Sequence, residues 1–142
     1  MKVYINQIAG DGLHLEESVE AKILDVETDE VKFNGPIKIK ADISKITNAV
    51  TADVGIDVLM RLCCSRCLEK IEFNFIKKLK LNYQADKTVQ VIDLNPDIRE
   101  EIILDYPIKP LCKPGCRGIC PKCGNNLNEG GCSCGSTQKK AF

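Results

Sequence analysis

Cys120-Pro121-Lys122-Cys123-Gly124 sets two thiols three positions apart with a glycine directly behind them. Such a turn wraps both sulfurs around one ion while backbone N–H groups point at them, and glycine accepts the turn that follows. Cys132-Ser133-Cys134 returns after eight residues, and the intervening Gly124-Asn125-Asn126-Leu127-Asn128-Glu129-Gly130-Gly131 is rich in residues that tolerate left-handed backbone. The chain can therefore double back and complete a tetrahedron. Four soft ligands with no His or carboxylate among them favour structural zinc over a catalytic ion with an open position.

The remaining cysteines suggest a second site. Cys64-Ser65-Arg66-Cys67 is another pair at the same spacing, and Cys112 and Cys116, separated by Lys113-Pro114-Gly115, could supply two more thiolates. That grouping would pin the tail to the link that holds Cys64. Its rivals are a metal-free thiol cluster and a different division of ligands. The nine cysteines are odd in number, so one falls outside any set of pairs. The alternation that buries Leu62 continues to Cys64 and leaves Cys63 on the other side, which makes Cys63 the candidate spare. The expected cofactor is Zn(2+), one or two per chain, with an iron–sulfur cluster as the alternative thiolate chemistry. Structural zinc is worth ~10–16 kcal/mol in small peptides, comparable with the stability of a whole domain.

The elements that must position these thiols show in the hydrophobic pattern. Val50, Ala52, Val54, Ile56, Val58, Met60 and Leu62 alternate with Thr51, Asp53, Asp57 and Arg61, which predicts a long half-buried strand. Ile71, Phe73, Phe75, Leu79, Leu81 and Tyr83 predict a second, broken in phase by Lys77. The link between them is short enough to require a hairpin. Ile37, Ile39, Ala41 and Ile43 form a shorter alternation, begun by a turn at Asn34-Gly35-Pro36. Met1 to Ile8 reads as an edge strand, and Glu16 to Asp25 as a strand or a short helix. Asn95 can cap a helix with Pro96 at its first position, Asp97 and Glu100 suit its N-terminal end, and Ile98, Ile102 and Tyr106 share a face before Pro107 and Pro110 stop it.

The fold class expected is α+β and mostly β: an antiparallel sheet or open barrel with a short helix and a C-terminal Cys-rich zinc-knuckle segment. The divisions are 1–95 for the β domain, 96–106 for the helix and 107–142 for the zinc-binding segment. From Pro107 on, the large apolar residues are only Ile108, Leu111, Ile119, Leu127 and Phe142. That is too few for a core, so metal would have to order the segment.

At 142 residues and 44% hydrophobic content the chain can build one core. No apolar run approaches the ~18 residues that cross a bilayer, and polar residues follow Met1-Lys2-Val3-Tyr4-Ile5, so a cytoplasmic protein without a membrane partner is expected. In a reducing compartment clustered cysteines bind metal more often than they pair. The formal charge is zero but uneven: residues 107–142 hold Lys109, Lys113, Arg117, Lys122, Lys139 and Lys140 against Glu129 alone. One four-thiolate zinc site would lower that excess of about five to about three. His14 is read as an ordinary surface or packing residue, and Lys77-Lys78-Leu79-Lys80 as a solvated strand face.

Taken together, Cys64-Ser-Arg-Cys67-Leu-Glu after a β run, Glu100-Glu-Ile-Ile-Leu-Asp-Tyr-Pro107-Ile-Lys-Pro110-Leu-Cys112, Cys116-Arg-Gly-Ile-Cys120-Pro-Lys-Cys123-Gly-Asn-Asn-Leu-Asn128 and Cys132-Ser-Cys134 resemble the YceD family of bacteria and plastids. The resemblance runs through most of the chain from about residue 35, and Cys63 departs from the pattern. Members are described as large ribosomal RNA subunit accumulation proteins. The resemblance thus implies a role in production, processing or stability of that RNA, with metal binding at Cys64, Cys67, Cys112, Cys116, Cys120, Cys123, Cys132 and Cys134.

The function expected is a non-enzymatic ribosome-biogenesis factor that binds rRNA, a ribosomal protein or a pre-ribosomal particle. No small-molecule substrate is evident. Aromatic residues are 5% of the chain, and Phe73, Phe75 and Tyr83 share a phase with core leucines, so a base-stacking platform is not apparent. A thiol redox or zinc-release sensor is the second class. An rRNA-processing enzyme is the third; the sequence offers it no His-rich centre, clustered carboxylates at motif spacing or phosphate-binding glycine loop.

Overall fold

The structure, a computed structural model, describes residues 1–132 and Cys134. Lys139, Lys140 and Phe142 lie outside the described residues. The order is β1 (Lys2–Tyr4), β2 (Leu13–Val19), α1 (Ala21–Leu24), β3 (Val31–Ile46), β4 (Ala49–Cys63), β5 (Lys70–Gln84), β6 (Val91–Asp93) and α2 (Asn95–Leu104).

Strands β2-β3-β4-β5 form an antiparallel meander, and β1 pairs with β6 in a separate two-stranded sheet. The main sheet is open, with β2 and β5 at its edges. In β4 all seven even-numbered residues from Val50 to Leu62 are buried, while Asp53, Asp57 and Arg61 face solvent. This is the one-sided alternation of an antiparallel sheet with a single wet face. Ile37, Ile39, Ala41 and Ile43 continue the buried face on β3, and Ile98 and Ile102 of α2 are fully buried in the same core cluster.

Four details of chain path differ from the sequence reading. The strand expected over Met1 to Ile8 is confined to Lys2–Tyr4 and is followed by a 3-10 turn at Ile5–Gln7. At Asn34-Gly35-Pro36 the chain does not turn: β3 runs through as a bulge, since Asn34 pairs with Leu59 and Lys38 with Asp57, leaving two extra residues on β3. Gly35 takes φ +93 and Pro36 has no N–H to donate, so both suit a break in the ladder. An even number of extra residues preserves the side-chain phase, which is why Val31 and Ile37 are both buried. The Glu16–Asp25 segment is divided rather than uniform, ending β2 at Val19 and forming α1 from Ala21. Asn95 is the first helical residue instead of the cap: Leu94 occupies the cap, the Asn95 N–H donates to Asp93, and the Asn95 side chain accepts from the chain's amino terminus.

Lys77 is also not a solvated residue. It lies on the inner phase of β5, 19% exposed, and its ammonium stands 2.7 Å from both Glu101 and Asp105 at the end of α2. Tyr83, six residues further along the same face, donates its hydroxyl to Asp97. Beyond Asp105, the Tyr106 hydroxyl donates to the carbonyl of Val26. Strand β5 therefore grips both ends of α2 and fixes where the chain leaves it. Phe75 is buried, whereas Phe73 is half exposed toward the hairpin tip.

His14 sits on the wet face of β2, with Nδ1 2.5 Å from Asp42 and Nε2 3.2 Å from Glu16. Hydrogen bonds to Asp42 first and Glu16 second raise its pKa above the ordinary 6.5. A raised value means that its contribution to stability is fully present below 6.5 and is lost as pH climbs through the folded-state pKa. The side chains are exposed, so the effect on stability is small. As the sole histidine it gives one NMR titration, whose midpoint should lie above 6.5 and move down in Asp42→Asn; an unchanged midpoint in that variant would refute the pairing.

Candidate metal centre

The β4–β5 ladder runs without a register shift from Ala49↔Gln84 to Cys63↔Lys70, so it delivers Cys64 in a fixed direction at its tip. There the chain turns tightly. The Leu68 N–H donates to the Cys64 carbonyl at 3.0 Å, the Cys64 N–H donates to the Glu69 carbonyl at 2.8 Å, and Leu68 takes φ +63. The second turn repeats this bond for bond: the Gly124 N–H donates to Cys120 and the Cys120 N–H to Asn125, both at 2.8 Å, with Gly124 at φ +75. Two unrelated stretches thus adopt one thiolate-presenting turn. In the first, a leucine occupies the left-handed position that a glycine fills in the second.

Chain from α2 is brought back to the first turn by the Ser65 N–H, which donates to the Pro110 carbonyl at 2.8 Å. Cys112 and Cys116 follow, with the Cys116 N–H closing onto Lys113 at 3.1 Å. Leu111 and Ile119 pack against Cys64, Cys67 and Cys116 in a small cluster separate from the main core. Arg66 Nη1 donates to the Cys116 carbonyl at 3.0 Å, and Asn128 Nδ2 reaches the Cys116 sulfur at 3.3 Å.

Two groups of four sulfurs result: Cys64, Cys67, Cys112 and Cys116, and Cys120, Cys123, Cys132 and Cys134, each with its Sγ atoms within 4.8 Å of one another. Cys64–Cys116 and Cys67–Cys112 are 3.7 and 3.6 Å apart. A disulfide would place the sulfurs at about 2.05 Å. A tetrahedron with metal–sulfur bonds of about 2.3 Å has edges of about 3.8 Å, so the first group has the dimensions to hold one ion. An iron–sulfur cluster, which spreads its thiolates over several irons, would hold them wider apart. Cys63 is exposed and lies outside both groups.

Electrostatics point the same way. Burial opposes ionisation of Cys64, but the N–H groups of Cys67, Arg66 and Cys112 outweigh it and bring the thiol down to about 6. Those of Cys123 and Lys122 bring Cys120 to about 6 as well. Cys116 is lowered, chiefly by the Asn128 amide. Burial and then the neighbouring sulfurs of Cys67, Cys116 and Cys64 push Cys112 up to about 12, and Cys134 reaches about 12 through the Cys123 sulfur and then burial. A first thiolate in each group forms readily and a later one is resisted by charge. A cation at the centre removes that resistance, so binding must displace protons.

Sequence spacing pointed to the sulfurs but not to Arg66, Asn126 or Asn128. The asparagines were legible only as residues that tolerate turns; nothing in their spacing marks side chains aimed at another site.

A family model described as large ribosomal RNA subunit accumulation protein YceD matches residues 52–142. A chloroplastic YCED homolog 1 from Arabidopsis thaliana, named as a large ribosomal RNA subunit accumulation protein, is 41% identical over 60 residues, 42% of this chain and 18% of that protein. An uncharacterized Mycobacterium tuberculosis protein is 38% identical over 45 residues, 29% of this chain and 22% of that one. The uncharacterized Bacillus subtilis protein YlbN is 24% identical over 121 residues, 77% of this chain and 70% of its own length. The match therefore spans under a quarter of the plant and mycobacterial relatives. No solved structure matches.

Two measurements test the centre. Protein purified without added metal should carry two ions per chain, and a thiol reagent should find one fast cysteine, Cys63, until a chelator exposes the rest; several fast thiols in the metal-loaded protein would contradict the grouping. Gly118, at φ +81, joins the two groups, and a Cβ there would stand 3.3 Å from the Arg66 carbonyl. Gly118→Ala should cost about 1–2 kcal/mol, read by denaturant unfolding of the metal-loaded protein.

Proposed function

The chain belongs to the YceD family, and from that membership and its two four-thiolate groups we propose that it is a zinc-binding, non-enzymatic factor of ribosome biogenesis that supports accumulation of large-subunit rRNA. Its mechanism is scaffolding in the cytoplasm or a comparable compartment: the thiolate-held turns present side chains rigidly to an assembling particle, so little conformational entropy is lost on binding. Four thiolates per ion leave no open coordination position for chemistry, which supports a structural role. No described helix is long and apolar enough to cross a membrane.

The observation that carries the reading is Leu68. It is 63% exposed and sits in left-handed backbone. That conformation costs a non-glycine residue about 1–2 kcal/mol, and here most of the side chain stays in solvent. Ile108, two residues before the carbonyl that Ser65 engages, is 94% exposed. The same end displays Arg66, Lys109, Lys113, Arg117 and Lys122. Two zinc sites would each leave a net charge of −2, offsetting most of the tail's basic excess and leaving isolated cations around an apolar pair. This balance favours a ribosomal protein over bare rRNA as the immediate contact.

Leu68→Gly separates contact from fold, because glycine relieves the backbone and leaves every thiol in place. It should retain both ions and at least the thermal stability of the parent while losing, in cells, crosslinks to the pre-ribosomal particle. For a protein contact, binding should change less than tenfold between 50 and 200 mM salt. A loss of orders of magnitude over that range would transfer the contact to RNA phosphates, and the absence of crosslinks to either class would overturn the proposal.

A second reading, a zinc-release sensor, has its support in the exposure of Cys123 within one group and of Cys63 beside Cys64. Release of zinc at low peroxide together with a change in particle binding is the result it requires.

A further inference from the structure

The loop that closes the second sulfur group is built into the wall of the first. Residues 124–131 join Cys123 to Cys132, yet the side chains of Asn126 and Asn128 point back across the junction. Asn128 Nδ2 donates to the Cys116 sulfur at 3.3 Å, while Asn128 Oδ1 accepts from the Arg117 N–H at 2.9 Å. Asn126 Oδ1 accepts from the Asn128 N–H at 3.0 Å, and Asn126 Nδ2 donates to Glu69 at 2.8 Å, beside the first turn. Backbone bonds complete the attachment: the Leu127 N–H donates to Gly118 at 2.9 Å, and Ile119 bridges Asn126.

Resting on the metal-binding reading, we propose that Asn128 is a positioning residue through which the second site controls the first, so that the two ions bind with positive cooperativity and the half-loaded chain is a minor species.

The physical reason is the order in which entropy is lost. An ion shared by Cys120, Cys123, Cys132 and Cys134 closes the ends of the 124–131 loop on each other. Without it, setting Asn126 and Asn128 against the first group means ordering a loop tethered at one end, against the conformational entropy of every residue fixed. With it, that cost is already met and the Asn128 amide is in place on Cys116, where a hydrogen bond to a ligating thiolate steadies both its charge and its direction. Coupling of this kind is reciprocal: ion in the first site holds Cys116, hence Arg117 and Asn128, and so favours closure of the loop. Only Arg117-Gly118-Ile119 separates Cys116 from Cys120, and Gly118 is buried against the Arg66 backbone. That link has little slack to absorb movement in either site.

The test is a zinc titration of the full-length apo chain followed by native mass spectrometry, with cobalt absorption as a second readout. At one equivalent of zinc the parent should show mainly empty and two-ion chains. Asn128→Asp keeps the oxygen that accepts from Arg117 but removes the donor; it should accumulate the one-ion chain and weaken the first site about 10- to 100-fold. Cys123→Ser with Cys132→Ser should weaken the first site similarly, and adding Asn128→Asp to that pair should cost little more. Far-UV circular dichroism of the sheet distinguishes loss of coupling from loss of fold. One-ion chains making up half or more of the parent population, as independent sites of equal or unequal affinity require, with no change in Asn128→Asp, would overturn the coupling while leaving metal binding intact. Failure of either site to take up zinc or cobalt would overturn both.

Discussion

Convergence of four thiols from two distant stretches of chain is the constraint on which the cysteine end depends. Cys67 and Cys112 are 45 positions apart, and the segment that carries Cys112 onward buries only sulfurs and a few apolar neighbours. Leu111 and Ile119 against three cysteines would stabilise by a few kcal/mol at about 25 cal/mol per Å² of apolar area. Ordering some twenty residues opposes that by far more. The backbone bonds at Ser65, Cys64 and Cys120 are therefore consequences of sulfur geometry as much as causes of it, and they become favourable together once the thiolates are held.

The β domain prepares half of that convergence in advance. A meander of adjacent antiparallel strands makes its contacts locally, and the fifteen-residue ladder between β4 and β5 carries its direction intact to Cys64. Lys77 makes the other half tractable. Its pairing with Glu101 and Asp105, and the Tyr106 hydroxyl on Val26, anchor the end of α2 to the sheet. What must still find its way to the hairpin tip is the short run from Pro107 to Leu111. A polar residue on the inner phase of a strand is in this way part of the architecture of a site it does not touch.

This explains what could be read in the residues and what could not. The strand phases of β3, β4 and β5 and the helix with Pro96 in its first turn were legible because period-two and cap patterns are local. The grouping of Cys120, Cys123, Cys132 and Cys134 had the same character: the four lie within fifteen residues and the loop between them reads as a turn. The bulge at Gly35 looked like a turn because glycine and proline serve both, and only the partner strand distinguishes them. Lys77 looked solvated because its carboxylate partners come from a helix more than twenty residues away. Leu68 gave no signal, since a leucine in left-handed backbone is not a preference that sequence can express; it is visible only beside Gly124 in the matching turn. The amide of Asn128 was hidden for a related reason, that its target belongs to the other sulfur group.

The two sites also differ in what their closure asks of the chain, and this bears on how the tail becomes ordered. Eight residues separate Cys123 from Cys132, against forty-four between Cys67 and Cys112. If the longer segment were unstructured, the difference in loop entropy would favour the shorter by about 1.5 kcal/mol at three-halves RT per logarithm of length. But β5, β6 and α2 occupy most of the longer segment, so its effective loop is the five residues after Tyr106. Folding of the sheet and helix thus removes the handicap of the long closure and brings the two sites to similar entropic cost. With neither closure strongly ahead of the other, even a modest link through Asn128 is enough to decide whether they occur separately or together.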